Sequence, residues 1–180
     1  NGRFGGLVGA SSSGRIHGSH ATGAVSAHGD SVELGGLSGR DSGGVIDSCF
    51  ASGGVTANAD HALVGGLVGN SRRGAIRGSR ATGAATATGM NAVAGGFVGA
   101  ASAGSSITIC YATGSTTATG GNSIVGGLVG RSSATSIGES FANGAVTTTG
   151  TNALAGGLVG SVGIGDTIRY SFATGPVTNT

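Results

Sequence analysis

The chain has 180 residues, of which 41 are Gly and one is Pro, with 9% charged and 38% hydrophobic side chains. That glycine load with so little proline and no three-residue period excludes collagen, and no stretch approaches the ~18 unbroken apolar residues of a membrane helix. The nine basic residues are all Arg and face seven acidic ones, a net charge of +2 that is too small and dispersed to imply a nucleic-acid partner; without Lys there is neither a Schiff-base amine nor a phosphate-loop lysine.

The sequence opens at Asn1-Gly2-Arg3-Phe4 with no signal-peptide pattern and no initiator Met, and it reads as a piece of a longer protein. From there it is a tandem repeat. Gly-Gly-Leu-Val-Gly begins at Gly5, Gly65, Gly126 and Gly156, with Gly-Gly-Leu-Ser-Gly at Gly35 and Gly-Gly-Phe-Val-Gly at Gly95, at spacings of 30, 30, 30, 31 and 30 residues. Ala-Thr-Gly or a close variant begins at Ala21, Ala51, Ala81, Ala112, Ala142 and Ala173, always 14 residues before any following Gly-Gly. The repeats therefore run near 5–34, 35–64, 65–94, 95–125, 126–155 and 156–180, and residues 1–180 are expected to form one repeat domain. The extra residues of repeats four and six fall between the two signatures, which marks a surface loop there.

Superposed repeats give columns. One is pure isoleucine, Ile16, Ile46, Ile76, Ile107, Ile137 and Ile168; a second is Leu7, Leu37, Leu67, Phe97, Leu128 and Leu158; a third is mostly valine, Val25, Val55, Ala85, Thr116, Val146 and Val177. No apolar run has helical spacing, and Gly with β-branched residues disfavours helix throughout. Each repeat reads as about three short strands between Gly-rich turns. A single unit cannot bury its aliphatics, but stacked units can, each strand joining a parallel sheet with like residues laddered along the axis. The expected fold is an all-β parallel β-solenoid of six rungs ~4.8 Å apart, a rod ~29 Å long. A β-propeller has repeats of similar size but needs four strands per blade. Asn91, Asn122 and Asn152, with Asn1, Ser31 and His61, share one position, which suits a left-handed turn or, alternatively, a ligand-binding amide row. Cys49 and Cys110 share a column with serines and lie two rungs apart, ~9.6 Å by strand spacing, too far for a disulfide; they are expected as free buried thiols.

Gly-Gly-Leu-Val-Gly, a Gly-containing loop, and Ile-x-x-Ser-(Phe/Tyr)-Ala-Thr-Gly-x-Val-Thr together resemble the GLUG repeat from Gly5 to Thr178. Such repeats occur in large bacterial surface proteins, including filamentous-haemagglutinin-like adhesins and secreted immunoglobulin proteases outside their catalytic domains. The resemblance implies an extracellular or bacterial cell-surface setting and a stalk or scaffold role, and brings no catalytic residue with it.

Three surfaces are candidates. After the valine column, Thr86-Ala87-Thr88, Thr117-Ala118-Thr119, Thr147-Thr148-Thr149 and Thr178-Asn179-Thr180 alternate, with Ser26-Ala27-His28 and Thr56-Ala57-Asn58 in the first two repeats. If valine and alanine point inward, Thr56, Thr86, Thr117, Thr147 and Thr178 form one outward ladder and Thr88, Thr119, Thr149 and Thr180 a second. This charge-free grid, with columns ~7 Å apart, resembles the face of solenoid ice-binding proteins, although threonine also favours exposed strands for its propensity alone. In Ala62 to Val68 aliphatics occupy odd and even positions; either Val8, Val68, Val98, Val129 and Val159 form an outward stripe for lateral packing, or a Gly-Gly bulge turns both sets inward. Phe50, Tyr111, Phe141 and Phe172 align with His20 and Arg80, either as an exposed adhesive strip or as a side-chain stack sealing one corner of the solenoid; burying Arg80 unpaired would be costly, which favours at least partial exposure.

Other motifs are thin. His17 and His20 have a metal-pair spacing without completing ligands, and Gly163-Ile164-Gly165-Asp166 resembles half of a calcium-binding nonapeptide but occurs once. Arg72, Arg73, Arg77 and Arg80 are the one basic cluster, suited to anionic glycans or to plain solvation. No nucleophile elbow, carboxylate pair or phosphate loop is visible. The reading is a non-enzymatic segment of a secreted or surface adhesin, without cofactor or metal, whose partner is a host-cell or surface glycan or protein, with lateral or end-to-end self-association. The alternative is an ice-binding solenoid.

Overall fold

The structure, a computed structural model, describes residues 2–180. It is an all-β parallel solenoid of six coils about 30 residues apart, without a helix. The first coil contains β1 (Gly2–Gly5), β2 (Val8–Ser12), β3 (Arg15–His17), β4 (His20–Ala21) and β5 (Val25–Asp30). The same five strands recur in every coil, ending at β30 (Val177–Asn179), and like strands stack into five parallel six-stranded sheets. Register is kept throughout: Ile16 pairs with Ile46, Ile76 with Ile107, and Ile137 with Ile168.

Each coil thus has five strands where the repeat pattern suggests about three. Some are two residues long, such as Phe50–Ala51, too short to carry a period. Others are parts of one apparent run cut by a corner. At the Gly-Gly corner the N–H groups of Leu67 and Val68 both donate to the Phe97 carbonyl, at 2.8 and 3.0 Å. Two consecutive residues sharing one acceptor is a bulge, and it turns both side chains inward. Leu67, Val68, Val98 and Val129 are fully buried, while Val8 and Val159, in the terminal coils, are half-buried. The outward stripe expected of these valines does not form.

Packing explains why the corner is written in glycine. A Cβ on Gly65 would overlap the Val68 carbonyl oxygen, and one on Gly66 would overlap the Gly96 carbonyl of the next coil. Other corners take the left-handed backbone, as in Ser31, His61, Asn91, Asn122 and Asn152, all with φ between 53 and 56°. This is the turn expected of the Asn column; Asn1, assigned to it by the repeat, lies outside the described residues. The additional residues of coils four and six lie at an exposed corner, Ala103-Gly104 and Gly163–Asp166.

The interior divides into two lobes. The second, third and fourth sheets enclose Leu37, Leu67, Phe97 and Leu128 with Ile46, Ile76, Ile107 and Ile137 of the isoleucine column. The first and fifth sheets enclose a thinner core of Val55, Val64, Ala57, Ala87, Ala118 and their neighbours. Cys49 and Cys110 are free and buried, as the column spacing requires. Burial pushes the Cys110 thiol up to about 12 and raises that of Cys49 as well, so neither is a thiolate at neutral pH. Their Sγ atoms donate to the carbonyls of Thr108 and Asp47 at 3.2 Å, and Ser79 and Ser140 carry on the column by accepting from the Cys49 and Cys110 N–H groups.

Candidate functional site

The fifth sheet presents the broadest uniform surface. Val55, Ala57, Ala87, Ala118 and Val146 fill its inner face, so strand alternation sends the intervening residues outward. Ladder pairing aligns Thr56 with Thr86, Thr86 with Thr117, Thr117 with Thr147 and Thr147 with Thr178. Thr56 and Thr178 are exposed, and Thr86, Thr117 and Thr147 are half-buried by their neighbours in the ladder. Thr88, Thr119, Thr149 and Thr180 form the adjoining exposed column, each backbone N–H donating to a carbonyl of the preceding coil. Thr88 Oγ1 also donates to Asn58 Oδ1 at 3.0 Å.

A further threonine column was not singled out from the repeat. Thr22, Thr82, Thr113 and Thr174, with Ser52 and Asn143, are exposed beside the first ladder. The signal was available in Ala-Thr-Gly itself: its alanine is buried in every coil from Ala21 to Ala142, so the following threonine faces out. No charged side chain lies on the fifth sheet in its last four coils. Charges gather instead at its start, where Asp30 contacts His61 at 3.2 Å; the hydrogen bond from His61, aided by Ser31, holds the Asp30 carboxyl below its ordinary value. Two threonines point the other way. Thr116 and Thr148 are buried and their hydroxyls have no partner among the described residues.

The aromatic column lies on the fourth sheet, facing out. His20 stacks on Phe50 at 4.8 Å, Tyr111 on Phe141 at 5.0 Å and Phe141 on Phe172 at 5.2 Å, all within 5° of parallel. Arg80 interrupts the stack with its guanidinium 4.5 Å from the Phe50 centroid, a cation–π contact. Arg80 is exposed, as its charge demands. Within the stack ring covers ring, while His20 and Phe172 at its two ends are exposed.

Apolar residues do line the outer face of the first sheet, one strand earlier than the valines, but Val93 and Ile124 are buried there and only Leu154, in the last coil, is exposed. Ala62 and Val64 belong to the thin core, so Leu63, Val93, Ile124 and Leu154 occupy the other face of the first sheet. They line the outer crook of the Gly-Gly corner, where a Cβ on Gly130 would strike Val93. In the first coils the same crook is polar: Glu33 is held by Arg40, by Asn70 at 2.8 Å and by Arg3 at 3.3 Å.

The remaining motifs separate. His17 Nδ1 contacts Asp47 Oδ2 at 3.0 Å while His20 stacks on Phe50, so the two histidines serve different neighbours. No group of three or more His, Cys, Asp or Glu side chains positioned for a metal occurs among the described residues. Asp166 turns inward and accepts from Ser132 Oγ at 2.6 Å, Thr135 N–H at 2.7 Å and Gly163 N–H at 2.7 Å, so this loop closes on itself. Asp41 is the contrasting carboxylate. It stands in the inward column of Ser11 and Ser71, is fully buried, and neither oxygen makes a well-formed hydrogen bond. Burial pushes its carboxyl up to about 6, opposed only by the Gly44 N–H.

Comparison with family models, curated proteins and solved structures gives no match. Among the described residues no helix is long and apolar enough to cross a membrane.

Proposed function

We propose that this chain is a non-enzymatic repeat segment of a large secreted or cell-surface bacterial protein, a rigid rod that serves as stalk or adhesive surface. The observation that carries this reading is the unbroken register of six coils, which repeats each outward position along the axis. A periodic face binds by summing weak contacts, so affinity grows with the number of coils engaged and not with any one pocket. The partner is a surface glycan or protein, and the setting extracellular, in keeping with the resemblance to the GLUG repeat. The test is binding of the fluorescently labelled protein to a glycan array and to host-cell surfaces; retention by neither overturns the adhesive role.

The threonine ladders favour a second reading, ice binding through the fifth sheet. Thr56, Thr86, Thr88, Thr117, Thr119, Thr147, Thr149, Thr178 and Thr180 would form its face, with an ice crystal as partner. Thermal hysteresis abolished by Thr117→Tyr and Thr147→Tyr would establish it in place of adhesion; no hysteresis from the unaltered protein excludes it.

A further inference from the structure

Arg72, Arg73, Arg77 and Arg80 lie within nine residues of the third coil, and all four are exposed. Arg72 ends the strand Val68–Arg72, Arg73 takes the left-handed corner at φ 55°, Arg77 ends Ala75–Arg77 and Arg80 opens Arg80–Ala81. The three strands lie in the second, third and fourth sheets, so the four side chains follow one another along the outer flank of one coil. Among the described residues none of them is within 4.0 Å of a carboxylate. The acid in register with Arg77 is Asp47, and it is already engaged by His17 at 3.0 Å and Arg15 at 3.6 Å. Burial works to raise the Asp47 carboxyl, but hydrogen bonds from Ser48 and His17 and the charges of His17 and Arg15 hold it below its ordinary value. Four guanidinium groups thus repel one another without local compensation, a field that draws an anion.

The neighbouring side chains select among anions. A nucleobase needs a free ring face to stack on, and the ring beside the cluster, Phe50, is already covered by His20 on one side and by Arg80 on the other. What the flank offers besides charge is hydroxyl groups, from Ser42, Ser102, Thr108 and Thr82 on the same and adjacent coils. Guanidinium forks match sulfate and carboxylate oxygens, and hydroxyls match a sugar's own. We propose that this flank binds an anionic polysaccharide lying across the rod along the third coil. The binding depends on that coil alone and holds whether the rod is a stalk, an adhesive surface or an ice binder.

The repeat supplies the test variants, because adjacent coils show which residue each position accepts: Arg72→Ser, Arg73→Gly, Arg77→Thr and Arg80→Phe place Ser42, Gly43, Thr108 and Phe50 equivalents in the third coil. Calorimetric titration at low salt would use a sulfated heparin dodecasaccharide, its desulfated counterpart, an oligothymidylate of equal charge, and phosphatidylserine vesicles. Binding to the sulfated chain is expected, weakened about twofold to fivefold by each substitution and about tenfold or more by all four, and left unchanged by Arg3→Ser on the first sheet. Absence of binding, equal binding of the desulfated chain, indifference to the fourfold change, or tighter binding to the oligothymidylate or the vesicles would each overturn the proposal.

Discussion

The two lobes of the rod solve the same problem differently. The thick lobe fills its interior with Leu, Ile and Phe and carries a varied exterior: the outward column at His17 continues as Asp47, Arg77, Thr108, Gly138 and Arg169. The thin lobe holds mostly Ala and Val, and on its fifth sheet the exterior of the last four coils is largely threonine. Apolar burial scales with area, so the thick lobe supplies most of the hydrophobic stabilisation and its surface is free to vary. The thin lobe depends on close approach of two sheets, and its tolerance for size is correspondingly small.

The largest effect should come from emptying the thick lobe. Ile107→Ala, fully buried in mid-rod, is expected to cost roughly 3 kcal/mol, read from the urea midpoint. If it cost no more than a surface change, the division of labour between lobes would fail. Next is Asp41, in the polar corner of the thick lobe. Burial pushes this carboxyl from its ordinary value up to about 6 and favours the neutral form, so stability is full below pH ~4 and falls as pH rises to ~6. Asp41→Ser, matching Ser11 and Ser71, should remove that slope and add on the order of 2–3 kcal/mol at pH 8; parallel pH profiles for the two proteins would refute this. In the thin lobe Ala87→Leu is expected to cost about 2 kcal/mol by overpacking, although leucine is the more hydrophobic residue. The smallest change is Thr148→Ala, which restores the alanine column and relieves an unpartnered hydroxyl; a gain of about 1 kcal/mol in thermal unfolding checks it.

The repeat made the architecture readable because stacking converts a spacing into a contact: Ile16 to Ile168 touch only because they share a position. The bulge at Leu67-Val68 was open to two readings, since whether a Gly-Gly pair reverses the alternation depends on which carbonyl the next two N–H groups find. Strands of two residues, such as Arg80–Ala81, hold their shape through neighbours above and below and leave no local pattern. The outward direction of Thr86 and Thr117 followed from alternation alone, whereas the partners of Asp166 and the isolation of Asp41 depend on corner geometry that a column of residue types does not encode.

Each strand of an inner coil bonds only to the coils before and after it. Tension on the two termini would therefore load the end coils first and peel the rod one turn at a time, each release freeing about 100 Å of chain at ~3.4 Å per residue. Such a sequence of equal steps would make the molecule a force-limiting tether, yielding length gradually where a single cooperative domain would give way all at once.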